Sequence, residues 1–377
     1  MTVPAATTSA SPMPDELSEI QDPAGWRGSD LGDIGNLSLA LDPPQLDELE
    51  TALERVEDAG VPLEATDEAH FHLPTLGPIL DGIRQELEDG KGFVLLRGLP
   101  FDRWSTQRSR LAAWAIGCWL GRHVCQNAQG QRIVDVTDLT AEGQSPRQYR
   151  TSQELRLHND PASDIIGLGC LRAAKSGGES VITSAVAIHN AMLKERPDLL
   201  ALLYQGFHWH RFGEGRPEDG AVTAQPVPLF ATQDGRLSCR YVRAPIAAGH
   251  KTADLPLSDA QVEALDLFDR LAASPELRLS FRMQPGDLLL VNNLVVLHAR
   301  TQFLDHPEAE RKRHMVRLWI EGRPGFRSVP PTLNFFNGGA CGIPQQEGRI
   351  AAYSDLDSLY RGRESGGVAR LGISSTR

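Results

Sequence analysis

The sequence predicts an α+β fold, mainly β, of the sandwich or jelly-roll type, with helices packed outside a double sheet. Three observations carry that expectation. From about residue 130 the chain breaks into short β-rich runs separated by turn residues. Amphipathic helical patterns are concentrated ahead of those runs, between residues 41 and 121. One further helical pattern, 258–274, interrupts the strands, as a helix lying against a sheet would. No repeat and no linker divides the chain, so a single domain over 21–377 is expected. Residues 1–20, rich in Ala, Ser, Thr and Pro, predict a disordered tail.

In order, residues 41–60 predict a helix, with Asp42 as its cap, prolines in its first turn, and Leu46, Leu49, Leu53 and Val56 on one face. A second, 76–89, aligns Leu76, Ile79, Leu80, Ile83 and Leu87 and stops at Gly90. "GFVLLRGLP" (92–100) reads as a short buried strand, and "RSRLAAWAIGCWLG" (108–121) as a third helix. Strands are then expected at 132–139, 165–174, 180–188, 206–212, 237–243, 287–300 and 313–321.

Composition narrows the function. The 377 residues carry a net charge of -11, which argues against a nucleic-acid binder needing a basic face. A local arginine cluster can still attract a small anion. Five scattered cysteines without a CxxC pair read as reduced thiols, consistent with a cytoplasmic protein. The N-terminus lacks the pattern of a signal peptide, and no apolar run is long enough for a membrane span.

The chemistry is expected around "LRLHNDPASD" (155–164), where His158 and Asp160 stand two apart. His-x-Asp alone is common by chance. A second histidine, His298, closes the apolar run "LLLVNNLVVLH", and Arg313 and Arg317 follow in "RKRHMVRLWI". If that segment is a strand, Arg313, Met315 and Arg317 share a face. Two arginines on a buried face are costly unless an anion meets them. Two histidines and one carboxylate can occupy one face of Fe(II), leaving three positions open. A bidentate 2-oxo acid and dioxygen would fill those, and an arginine suits the acid's distal carboxylate.

Four motifs in sequence, "HND" (158–160), "SGGES" (176–180), "PGD…NNLVVLHAR" (285–300) and "RKRHMVR" (311–317), resemble the taurine dioxygenase / clavaminate synthase-like (TauD/TfdA) superfamily of Fe(II)- and 2-oxoglutarate-dependent dioxygenases. The similarity covers about 90–320. It implies a double-stranded β-helix (jelly-roll) core with flanking helices and a catalytic domain. It implies His158, Asp160 and His298 as iron ligands, with Ser180 and Arg313 on the 2-oxoglutarate co-substrate. Arg317 matches a second arginine, which grips an anionic substrate group in taurine dioxygenase. "FLDHPEAE" (303–310) lengthens the gap from His298 to Arg313 and leaves the division of labour between the two arginines open. Because Asp160 is present, the resemblance favours hydroxylation, or a related desaturation or ring closure, over halogenation. The expected partners are dioxygen and a small-molecule substrate, anionic or an amino acid, with homo-oligomer formation left open.

Other readings are available. His208 and His210 in "GFHWHRF" would share a face on a strand, as in a cupin-like metal site. A zinc enzyme using His158, Asp160 and His298 is chemically possible, but it would leave the Gly-Gly-Glu-Ser segment and the arginines unexplained. A binding module without catalysis would not need the triad. Gln126, Asn127 and Asn159 are read as structural groups that could alternatively face a substrate. The turn-rich segment 129–155 has the composition of a lid.

Overall fold

A computed structural model of the chain describes residues 16–140, 148–327 and 329–346. Most of the expected tail, residues 1–15, lies outside them, as does part of the lid segment. Ile20 is already tied down, its amide donating to Asn190 Oδ1 at 3.0 Å and its carbonyl accepting from Asn190 Nδ2 at 2.9 Å.

One helical turn, α1 (Gly28–Leu31), and a short strand, β1 (Ser38–Ala40), precede the expected helices. Helix α2 (Pro43–Asp58) begins at a capping box. The Asp42 side chain accepts from the Gln45 amide, and the Gln45 side chain accepts from the Asp42 amide. Helix α3 (Gly77–Asp89) stops at Gly90, strand β2 (Phe93–Arg97) follows, and Ser105 caps α4 (Thr106–Leu120). The strands then begin: β3 (Gly121–His123), β4 (Ile133–Val136), β5 (Leu155–His158), β6 (Ile165–Arg172), β7 (Ser176–Gly177) and β8 (Ser180–Ser184).

Four expectations fail between residues 180 and 300. The strand expected over 180–188 ends at Ser184, whose hydroxyl accepts from the Ala187 amide and starts α5 (Ala185–Glu195), followed by α6 (Pro197–Gln205). Every residue from 180 to 189 is buried, so the run shows no period and the cap decides where strand becomes helix. "GFHWHRF" forms only isolated bridges at Phe207 and His210, not a strand. After β9 (Phe230–Gln233) and β10 (Arg236–Cys239), helix α7 (Arg243–Thr252) precedes the expected α8 (Asp259–Ala272), so α8 is not the lone helix among the strands. Finally, β11 (Arg278–Phe281) leads into two strands where one was expected, β12 (Leu288–Asn292) and β13 (Val296–Arg300). Asn292 turns the chain between them, its side chain accepting from the Leu294 amide at 3.0 Å. His298 therefore sits in the middle of β13 rather than closing a strand. Strands β14 (Phe303–Leu304) and β15 (His314–Gly322) complete the order.

The larger sheet has seven strands, ordered β1-β2-β12-β6-β15-β3, with β4 also paired to β15. All its pairs are antiparallel except β1 with β2. The smaller, antiparallel sheet is ordered β11-β8-β13-β5. Period-two alternation divides the apolar residues into three layers. Phe93, Leu95, Ile166, Leu289, Val291, Met315 and Trp319 of the large sheet share a core with Ile182, Phe281 and Val296 of the small one. Val94, Leu96, Leu290, Val316, Leu318 and Ile320 face outward against α2, α3 and α4. Leu157, Val181, Leu297 and Ala299 pack instead against α5, α6 and α8. The molecule is a mixed helix-and-strand sandwich, and the same alternation turns His158, His298 and Arg317 toward its interior.

Candidate active site

His158, at the end of β5, lies opposite His298 of β13, with ring centroids 4.4 Å apart. Asp160 follows in the turn between the small sheet and β6, and this turn is held from several sides. Asn293 accepts from the Asp160 amide at 2.9 Å and donates to the carbonyls of Asp160 and Ser163, both at 2.7 Å. The buried Arg240 donates to the same two carbonyls at 3.0 and 2.7 Å. Asn159 points away from the centre, donating to the carbonyls of Asn293 and Val296. Its role is structural, as is that of Asn127, which donates to Gln131 at 2.8 Å.

One ligand atom from each of His158, Asp160 and His298 lies within 4.8 Å of the others. His158 uses Nδ1 on the Arg156 carbonyl at 2.8 Å, which leaves Nε2 available. His298 Nε2 stands 3.7 Å from Asp160 Oδ2. Burial, then the neighbouring His158, pushes the His298 pKa down to about 3, and burial lowers that of His158 as well. Burial alone would raise the Asp160 carboxyl. Arg317, the two imidazoles and the Trp319 hydrogen bond outweigh it and hold the carboxyl below the usual range. Two neutral imidazoles and one carboxylate are the protonation states a divalent metal requires, and this nitrogen-oxygen set suits Fe(II).

Arg317 of β15 is fixed beside that group. Its Nε donates to Gln126 Oε1 at 2.8 Å, and Nη1 reaches Asp160 Oδ1 at 3.4 Å. Gln126 in turn donates to the carbonyls of Arg132 and Arg317. The rings of Tyr149 and Trp319 lie 4.5 and 5.3 Å from the guanidinium carbon. Trp319 Nε1 also donates to Asp160 Oδ2 at 3.0 Å. Arg313 does not belong to β15. It precedes the strand, and a bulge between His314 and Met315 breaks the simple alternation expected from 313 to 317. Its guanidinium is buried against Phe303, 5.2 Å from the ring centre, beside the Gly178 turn. Among the described residues it meets no hydrogen-bond acceptor. Ser180 opens β8 opposite Arg300, on the inward face of the small sheet.

The rival pair does not assemble. His208 Nδ1 is used on the Thr223 carbonyl at 2.8 Å, and His210 Nδ1 accepts from the Phe212 amide at 3.0 Å. Among the described residues, His158, Asp160 and His298 are the cluster whose geometry can hold a metal ion. Sequence reasoning did not find Tyr149, Trp319 or Arg300 in the site. Trp319 was discoverable, being two residues after Arg317 on one strand face. Tyr149 carried no such signal.

A mononuclear non-haem iron oxygenase is the class that such a donor set, lodged inside a two-sheet sandwich, defines. Residues 57–319 match the family described as "Taurine catabolism dioxygenase TauD, TfdA family". FR-33289 synthase of Streptomyces rubellomurinus (strain ATCC 31215) is 34% identical over 316 residues, covering 82% of this chain and 92% of that one. Taurine hydroxylase-like protein SAT17 of Stachybotrys chartarum (strain CBS 109288 / IBT 7711) is 30% identical, covering 80% and 79% respectively. The fold resembles asparagine oxygenase solved with Fe(II), 2S,3S-3-hydroxyasparagine and succinate, with a TM-score of 0.60 at 20% identity. That likeness covers 76% of this chain and 93% of the other. The chain belongs to the TauD/TfdA family and is an Fe(II)- and 2-oxoglutarate-dependent dioxygenase. No helix among its described residues is long and apolar enough to cross a membrane.

Proposed function

We propose that the protein hydroxylates a small anionic substrate, with His158, Asp160 and His298 holding Fe(II). In this reading the two facing sheets are the walls of a double-stranded β-helix, and residues 21–377 form one catalytic domain. Arg313, with Ser180, takes the far carboxylate of 2-oxoglutarate, and Arg317 takes the substrate's charged group. Bound Fe(II), 2-oxoglutarate and dioxygen supply the oxidising power, with release of succinate and carbon dioxide. The protein's own residues do the positioning. Gln126 fixes the Arg317 guanidinium by its Nε, so its remaining donors approach a ligand in one orientation. Trp319 and Arg317 hold the Asp160 carboxylate ionised and oriented.

The observation that carries the reading is Arg313. A buried guanidinium without an acceptor is costly, and an incoming carboxylate relieves that cost. A zinc hydrolase built on the same triad would have no use for it. Anaerobic addition of Fe(II) and 2-oxoglutarate should produce the weak visible charge-transfer band of the chelate, and His298→Ala should abolish it. Arg313→Ala should weaken 2-oxoglutarate by about ten- to a hundredfold, the equivalent of one charge-assisted hydrogen bond, while Fe(II) binding survives. Unchanged 2-oxoglutarate affinity would transfer the role to Arg317. Oxygen-dependent succinate formation should rise when the correct compound is added from a pool of small acids. If a neutral, bulky compound alone stimulated it, the anionic-substrate reading would fall while the reaction class stood.

A further inference from the structure

Arg300 is a buried cation that the reading above does not use. It lies two residues beyond His298 on the same inward face of β13. Among the described residues it forms no ion pair with a carboxylate. Burial, followed by the nearby Arg313, pushes its pKa down to about 9. A residue kept charged in such surroundings needs strong hydrogen bonds, and Arg300 makes them to one short segment. Its Nη2 donates to the carbonyl of Thr151 at 2.8 Å and to that of Gln153. The carbonyl between them, Ser152, accepts from the Phe303 amide at 3.1 Å, and that of Arg150 accepts from the Leu139 amide at 3.0 Å. Four successive carbonyls, 150 to 153, are thus held by groups outside their segment.

That segment has little structure of its own beyond the single 3-10 turn Gln148–Arg150. The turn carries Tyr149, whose ring lies 4.5 Å from the Arg317 guanidinium carbon. Arg300 and Arg313 also lie over one ring, Phe303, at 4.7 and 5.2 Å. The arginine beside the His-Asp-His cluster, Arg313 and the 149–153 segment therefore meet through Arg300 and Phe303.

We infer that Arg300 is a positioning residue that clamps residues 150–153 onto the small sheet and so holds Tyr149 against Arg317 as a wall of the substrate site. Arg300 acts through the segment and not as a ligand of 2-oxoglutarate. The inference rests on the proposed site, because Tyr149 matters for substrate only if Arg317 does.

The clamp has a built-in reporter: Arg150 places a trypsin-sensitive bond inside the held segment. Wild-type, Arg300→Met, Arg300→Lys and Tyr149→Leu proteins would be digested briefly with trypsin, and cleavage after Arg150 followed by mass spectrometry. In parallel, 2-oxoglutarate affinity would be read anaerobically from the Fe(II) chelate band, and uncoupled succinate formation measured with 2-oxoglutarate and oxygen alone. Arg300→Met should speed cleavage after Arg150 at least tenfold and leave 2-oxoglutarate affinity within about threefold of wild type. Arg300→Lys, keeping one donor head, should restore part of the protection. Tyr149→Leu should change uncoupled succinate formation as Arg300→Met does, and the double variant should go no further than either single one. Unchanged cleavage in Arg300→Met would overturn the clamp. A tenfold loss of 2-oxoglutarate affinity would make Arg300 an anion ligand instead. Additive effects of the two substitutions would separate Arg300 from Tyr149. If Arg300→Met does not fold, Arg300→Lys and Tyr149→Leu decide the same questions. A wild-type protein without the chelate band would refute the underlying site, whereas the cleavage result judges the clamp by itself.

Discussion

Trp319 binds Asp160 through a single indole N–H, and that bond can be removed almost alone. Trp319→Phe keeps most of the ring in the core between the sheets but leaves Asp160 Oδ2 without its donor. Groups that orient a metal ligand are typically worth ten- to a hundredfold in affinity. Fe(II) binding should therefore weaken about tenfold, measured by anaerobic titration, and unchanged affinity would make the contact incidental. A second residue tests the acid limb of stability. His123 is buried against the Trp114 ring, centroids 3.7 Å apart, and burial pushes its pKa down to about 4. The unfolded chain has a histidine of ordinary pKa, so it takes up the proton first as pH falls. Stability is therefore full above about pH 6.5 and is lost as pH drops toward 4. Between pH 7 and 5 the loss from this group should be about 2 kcal/mol. Urea unfolding of His123→Gln should show a correspondingly flatter pH dependence. At this scale the sequence was informative wherever chemistry follows chain spacing. His158, Asp160 and His298, the proposed iron ligands, stood out because a metal site needs particular side chains in a particular order. Tyr149 and Arg300 did not, because their roles arise from contacts between distant segments that no local pattern encodes.

Among the elements, the helices legible in the sequence were those with a one-sided apolar stripe, such as α2, α3 and α8, the first and last of which also open on a capping box. Helix α6, set off by the polar run 194–198 and opened by Pro197, carried a start signal that the pattern reading passed over. Helix α7 escaped because its stripe is weak, and α5 because its apolar residues continue directly from a strand with only Ser184 between them. The two-strand nature of 287–300 was hidden for the same reason: a strand buried on both faces shows no alternation. Helix α4 offers a test in which local propensity and packing oppose each other. Gly117 lies in its last turns, where alanine would normally favour the helix by about 1 kcal/mol. A Cβ there would stand 2.4 Å from His123 Cε1 and 3.2 Å from Ile320 Cδ1. The His123 ring is stacked and hydrogen-bonded to the Trp114 carbonyl, so it has little room to yield. Gly117→Ala should destabilise the protein by roughly 1–3 kcal/mol, as overpacking does. A stabilised variant in urea unfolding would show that α4 and β3 are packed more loosely than these distances imply.

For the whole molecule, the net charge of -11 and the interior of the sandwich have opposite signs. Arg300, Arg313 and Arg317 are all buried on or beside the inward faces, so the local field, not the total charge, decides what enters. The proposed ligands also join the two sheets. His158 and His298 belong to the small sheet, Arg317 to the large one, Arg313 precedes the large sheet's β15, and Asp160 lies on the turn between them. Anything bound across that gap by the folded chain, and not by the unfolded one, must stabilise the whole fold. At a hundredfold excess over its dissociation constant, a ligand contributes about 2.7 kcal/mol. For a chain of this size that is a rise of a few degrees in melting temperature. Anaerobic thermal unfolding should show one increment from Fe(II) and a second when 2-oxoglutarate is added. His298→Ala should lose the first, and with it most of the second. Arg313→Ala should keep the first and lose the second. If Arg313→Ala kept both increments, the buried guanidinium would not be the group that meets 2-oxoglutarate.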